Sequence, residues 1–413
     1  MALEKKLQNG LDKISDLLGV NLRYVFKGGY FLTLGNVASI AANFILAFFF
    51  ARLLPKETYG TYSYILAWIS VLGIFALPGM DTAVIQSVSR GFDSSLVIGL
   101  KKKLKYGIWG TLAAIIVGGY YFYGGNAALA SAFFVGAAFI PIINGFQIYN
   151  AYLLGKKEFK TSAVYSVAGQ IFIAAVLVSS VFLTRKVLYI VAAYLAANAS
   201  VNAFFYIKTE IKSAKTAKDA QITGYAKHLS FMNFIAIIAS YADQFLAFHF
   251  LGPANLANYA FATSPPEQVK SLFKSLPDLI LPKFSERTEE ELKKTMTRKI
   301  IILTAFTATI VGLYIAIAPL FYKIFFPRYL NAVFLSQIFA LSLLNTPPAL
   351  ISGALTAHKK IKKLYAVNII GPVFQISIMA VLTPLYGLIG LIAARIAART
   401  FNSIISLAVY YGS

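Results

Sequence analysis

Twelve apolar stretches, each of roughly 20 residues, leave this chain little choice of environment. They run over 30–51, 62–87, 104–122, 128–154, 163–184, 187–207, 229–251, 256–282, 300–322, 331–356, 364–384 and 387–411. A helix that crosses the roughly 30 Å hydrocarbon core of a bilayer needs about 20 mostly apolar residues, so each stretch is a span. The composition agrees: 58% of the 413 residues are hydrophobic and 13% charged. Soluble domains of this length hold about a quarter charged residues and cannot hide so much apolar surface. The connections are short, at most about 20 residues, which leaves no room for a soluble catalytic domain between spans. There is no Cys, and the three His (His228, His249, His358) are too far apart in sequence to share a metal, so neither a metal centre nor a cofactor is expected. The first 29 residues are polar, and no cleavable signal peptide is expected.

Positive charge gives the direction. Of the 38 Lys and Arg, 28 fall on one side of the twelve-span arrangement, six on the other, and four (Lys270, Lys274, Arg395, Arg399) within spans. Positively charged loops stay in the cytoplasm, which places both termini there. Span 256–282 is the polar one; if it did not cross, the split would fall to 20 against 14, so the crossing is favoured. The net charge of +22 is therefore mostly a cytoplasmic rim in contact with anionic lipid headgroups. It is not a nucleic-acid interface. Leu96, Val97, Leu100 and Leu104 set against Lys101, Lys102, Lys103 and Lys105 predict a basic amphipathic helix on that surface.

The chain also matches itself at an offset of about 200. Leu46-Ala47-Phe48-Phe49-Phe50 returns as Leu246-Ala247-Phe248-His249-Phe250, Tyr59 returns as Tyr259, and Asn43 falls opposite Asp243. Lys156-Lys157 before the fifth span match Lys359-Lys360 before the eleventh. Six spans per repeat is an even number, so the repeats are parallel. The predicted fold class is an all-α polytopic membrane protein, with twelve transmembrane helices in two parallel-repeat six-helix lobes around a central cavity. The divisions are a cytoplasmic segment 1–29, an N-lobe 30–207, a cytoplasmic linker 208–228 and a C-lobe 229–413.

Polar groups inside spans are costly, at least about 2.5 kcal/mol for a charge near mid-bilayer, and so mark protein or water rather than lipid. Glu267, Lys270, Ser271, Lys274, Ser275 and Asp278 recur along one helical face of the eighth span. Two readings stand: a cationic wall of an aqueous cavity, or a zipper of helix neighbours that satisfy one another. Pro265, Pro266 and Pro277 predict a kink or break there. In the twelfth span, Arg395 and Arg399 share a face and suit either phosphate or a structural pairing with Asp243. Asp81 and Asp243 are intramembrane carboxylates, candidates for proton or sodium coupling; the alternatives are a pair with Arg90 for Asp81 and with Arg395 or Arg399 for Asp243. Asn43, Asn144 and Gln147 read first as interhelical hydrogen bonds.

The first two spans carry a family resemblance. Phe50-Ala51-Arg52-Leu53-Leu54-Pro55 followed by Glu57-Thr58-Tyr59-Gly60-Thr61-Tyr62-Ser63 resembles the signature of the Wzx/RfbX-like polysaccharide flippases, with Pro55 near the family's Gly. Those proteins share a superfamily with the multidrug and toxin extruders. Leu251-Gly252-Pro253, Leu281-Pro282-Lys283-Phe284-Ser285, Ala357-His358-Lys359-Lys360 and Gly387-Leu388-Ile389-Gly390-Leu391 are similar to later parts of the family pattern. The resemblance implies a transporter, not an enzyme, that moves a polyprenyl-phosphate- or pyrophosphate-linked saccharide by alternating access across the cell membrane. It also implies that spans one, two, seven and eight line the central cavity. The expected substrate site is Lys270 and Lys274, helped by Arg52 and Arg399. Glu267, Ser271, Asp278, Asn43 and Arg395 are expected in the lining, and Asp81 or Asp243 in ion coupling. The expected partners are the lipid-linked saccharide and anionic lipids, with the chain acting as a monomer. The rivals are an organic-cation antiporter of the same superfamily, whose cavity should be acidic or aromatic, and an integral-membrane glycosyltransferase, for which no Asp-x-Asp is present.

Overall fold

The computed structural model describes residues 22–211, 213–214, 217, 219–273, 289–348, 350–351, 354–355 and 361–412. Among the described residues every regular element is a helix. In chain order these are α1 (Leu22–Leu53), α2 (Lys56–Leu72), α3 (Gly79–Ser89), α4 (Ser95–Tyr123), α5 (Ala127–Phe146), α6 (Ile148–Gly155), α7 (Phe159–Leu183) and α8 (Val187–Glu210). Then come α9 (Ile222–Leu246), α10 (Pro253–Phe273), α11 (Glu289–Phe325), α12 (Ala332–Ala340) and α13 (Ile361–Tyr411).

The chain is a multi-pass membrane protein. Eight helical segments among the described residues are long and apolar enough to cross a bilayer. One of them, Val367–Tyr411 (45 residues), would be more than twice the roughly 30 Å core at 1.5 Å per residue. It is broken at Gly387, where φ is 60°, and supplies two spans. The other expected spans are α4, whose Gly and Tyr residues dilute its apolar character, the polar α10, and the short α12 with the turn that follows it. The fold class is thus the expected one, twelve spans in two six-helix lobes.

The repeat is visible in the contacts. In the first lobe α1 lies on α7, and Gln170 Nε2 donates to Asn43 Oδ1 across them at 2.6 Å. In the second, α9 lies on the first half of α13, and Gln375 Nε2 donates to the Ala239 carbonyl at 2.7 Å. Between lobes, α2 meets α10 and α3 meets α9. Glycine permits both approaches: a Cβ on Gly60 would stand 1.8 Å from the Pro253 carbonyl oxygen, and one on Gly79 would stand 2.5 Å from that of Ala226.

Three local expectations change. The second span is not one helix; Pro78, which has no N–H to donate and disfavours helical backbone in the residue before it, contributes to the break. Leu77 accordingly sits at φ 54°, after a 3₁₀ turn at Gly73–Ala76. Of the prolines expected to kink or break the eighth span, Pro265 and Pro266 sit inside α10 without ending it, and Pro277 lies outside the described residues. The basic segment before span three is not a separate surface helix. It is the start of α4, and Lys103 is buried.

Candidate functional site

The charged residues of spans seven, eight and twelve converge on one cluster. On α10, Tyr259, Glu267 and Lys270 recur at helical spacing and share a face; on α13, Arg395 and Arg399 are four residues apart and so point the same way. Asp243 stands near the end of α9, one turn before a π-helical segment, Ala247–Leu251, of the kind often found at functional sites. Asp243 accepts hydrogen bonds from Arg395 Nη1 at 2.6 Å and from the Tyr259 hydroxyl at 2.6 Å. Glu267 binds Nη2 of Arg395 at 3.1 Å and also Nη2 of Arg399. Arg399 Nη1 donates to Ser342 Oγ at 2.6 Å, on the 3₁₀ turn after α12. Lys270 lies 3.6 Å from Glu267.

These groups line a cavity of about 560 Å³ to which α2 adds Tyr59 and Ser63. Exposure rises across the cluster, from 7% for the Asp243 side chain through 14% and 15% for the two Arg to 33% for Glu267 and 42% for Lys270. The buried end is a closed network and the open end is Lys270. Three cations face two carboxylates among the described residues, so the cavity carries one positive charge in excess. Both carboxylates already face guanidinium groups, whose planar forks suit bidentate anion contacts.

A second cavity, about 670 Å³, lies between α1, α10 and α11. Its lining is mainly aromatic and aliphatic, including Phe44, Phe261 and Phe321, and Tyr59 belongs to both cavities.

The expected site residues divide accordingly. Lys270, Glu267, Arg395, Arg399 and Asp243 come together. Lys274 and Asp278 lie outside the described residues. Asn43 lines the apolar cavity instead. Ser271 does not reach the charged one; its hydroxyl turns back to the Gln268 carbonyl. Arg52 is elsewhere, stacked over Phe48 at 4.4 Å and donating to the Ile324 carbonyl at 2.9 Å, where it ties α1 to α11. Asp81 is also remote, and its partner is Lys103 at 2.7 Å rather than Arg90, which lies 4.0 Å from Asp219. Tyr259 and Ser342 join the network without having been anticipated. The Tyr59–Tyr259 repeat was the available signal for the first; for Ser342, a turn residue, there was none.

This arrangement of spans around a polar cavity is a fold shared with solved structures of MOP superfamily transporters. The fold resembles that of an outward-facing multidrug resistance MATE family transporter, with a TM-score of 0.67 and 16% identity over 92% of this chain and 93% of the other. An inward-facing structure of such a transporter matches at 0.64, with 14% identity over 91% and 96%. A MOP superfamily transporter from Pyrococcus furiosus, described as having a binding pocket of reverse polarity that suggests a different function, matches at 0.64, with 15% identity over 95% and 96%. No curated protein matches the chain. A model of the polysaccharide biosynthesis protein family matches residues 25–286, and the chain belongs to that family.

Proposed function

We propose that the protein is a flippase, moving a polyprenyl-phosphate- or pyrophosphate-linked saccharide from the cytoplasmic to the outer leaflet by alternating access. The observation that carries this reading is the charge balance of the α9–α10–α13 cavity. Its excess is positive and its carboxylates are engaged, so it suits a phosphate group. In a water-poor cavity such charge-assisted contacts are stronger than at the surface. Lys270 is the most exposed charge of the cluster and meets the phosphate first, with Arg399 behind it. The adjoining apolar cavity between α1, α10 and α11 accommodates part of the carrier chain, and Tyr59, common to both cavities, stands where phosphate and chain join. The lobes divide at linker 208–228, with both termini cytoplasmic.

An organic-cation antiporter needs an unengaged carboxylate or an aromatic cage in this cavity. Asp243 and Glu267 are both held by Arg395, and Glu267 by Arg399 as well. The two functions separate in proteoliposomes. The wild-type chain is expected to flip a fluorescent polyprenyl-pyrophosphoryl-N-acetylglucosamine and to leave ethidium untransported, and Lys270→Gln is expected to slow flipping at least tenfold. Ethidium transport without flipping overturns the proposal.

A further inference from the structure

We propose that a third cavity, in the first lobe, is a subsite for the saccharide and selects a neutral sugar; this rests on the flippase reading above. It measures about 450 Å³, within the range of about 300–1,000 Å³ typical of small-molecule sites. Six helices of the first lobe wall it, with Ser39 from α1, Ser70 from α2, Asn144 from α5, Tyr149 from α6, Ser166 from α7 and Asn198 from α8 among the lining. Tyr241 of α9 reaches in from the second lobe. None of the lining residues among those described is charged.

The polar groups are not used up by the fold. Asn144 donates its Nδ2 to the Ile140 carbonyl at 2.9 Å, but its amide oxygen accepts nothing among the described residues. The Gln147 amide, exposed at the end of α5, and the Ser39 and Ser166 hydroxyls also have no hydrogen-bond partner among the described residues. Amides and hydroxyls that both donate and accept, beside tyrosine rings, are what the hydroxyls and apolar faces of a pyranose require. A phosphate or carboxylate placed here would find no cation, and burying an unpaired charge is costly. An organic cation would find no carboxylate.

The position fits one ligand touching two sites. Helices α2 and α9 contribute to both cavities: Ser63 and Asp243 line the charged one and Ser70 and Tyr241 the uncharged one, Ser63 and Ser70 lying two turns apart on one face of α2. A phosphate held by the second lobe therefore has a sugar-compatible cavity further along the same pair of helices. Both lobes would grip one molecule, the second by charge and the first by hydrogen bonding.

The test compares short-chain probes binding to the full chain in lipid nanodiscs: farnesyl pyrophosphate alone, and farnesyl pyrophosphate bearing N-acetylglucosamine, galactose, rhamnose or glucuronic acid. At least one neutral-sugar probe is expected to bind tenfold or more tightly than the sugar-free one, an effect of one or two hydrogen bonds. The glucuronic acid probe is expected to gain nothing. Gln147→Leu and Ser166→Ala, both at exposed positions, are expected to erase the sugar's advantage and leave farnesyl pyrophosphate binding unchanged. The inference is overturned if no neutral sugar improves binding, or if these variants weaken both kinds of probe alike. Lys270→Gln is expected to weaken every probe equally. If it weakens none while Gln147→Leu still removes the sugar's advantage, the phosphate site falls and the saccharide subsite stands.

Discussion

Asp243→Asn removes the carboxylate of the most buried pair in the cluster. Its side chain is 7% exposed and that of Arg395 14%, with 2.6 Å between them. Breaking such a pair by removing one partner costs about 3–5 kcal/mol, because the other charge is left buried. Two features of the site pull the figure down. Arg395 keeps Glu267 at 3.1 Å, and an Asn oxygen can still accept from the Tyr259 hydroxyl. The expected cost is therefore about 3 kcal/mol, a hundredfold loss in the folded-to-unfolded ratio. Arg395→Gln alone should cost as much or more, since it strands Asp243. The double variant buries no unpaired charge at this position, so its cost should fall short of the sum by about 2–3 kcal/mol, near the upper end of measured couplings. Reversible unfolding in mixed detergent micelles, followed by fluorescence, supplies the four free energies. Additive costs, or an Asp243→Asn variant as stable as the wild type, would refute the pairing as the force that holds α9 to α13.

The other predictions concern the seams. Gly60→Ala should lower stability by about 1–3 kcal/mol, seen as a lower midpoint in thermal unfolding, because the new methyl group meets the Pro253 carbonyl across the lobe contact. Asp81→Asn strands the buried Lys103 and should destabilise by about 1–3 kcal/mol, less than a fully buried pair because Asp81 is 43% exposed; adding Lys103→Met should restore most of the loss in the same assay. Arg52→Ala removes the link from α1 to the Ile324 carbonyl and should speed hydrogen exchange at the Phe325 end of α11 while leaving farnesyl pyrophosphate binding unchanged.

Some of this was legible in the sequence, for reasons that differ by residue. Hydropathy marks the spans because a helix in lipid must be apolar nearly throughout. The face formed by Glu267 and Lys270, and that formed by Arg395 and Arg399, follow from helical spacing, and Asp243–Arg395 was among the pairings the residues allowed. Other features depend on tertiary context. Lys103 belongs to a run of basic residues that reads as a solvated face, and only the docking of α4 against α3 buries it beside Asp81. Arg52 looks like a second-site cation until its guanidinium is seen on a backbone carbonyl of another lobe. The break at Leu77 needs more than Pro78, since Pro265 and Pro266 lie within an unbroken helix. The uncharged cavity draws its Ser, Asn and Gln groups from several helices, one or two from each, and only the packing of those helices brings them together.

The broken second span has a mechanical consequence. Its first half, α2, is held by α10 through the close approach at Gly60; its second half, α3, is held by α9 through Gly79, whose N–H donates to Ser230 Oγ at 3.0 Å. A continuous rod would tie these two contacts together, so that prising one open would lever against the other. Two short rods joined at Leu77–Pro78 act as separate latches on one post. In the flippase proposed above, each releases its own partner while the other stays shut, so the two faces of the membrane need never be open at once.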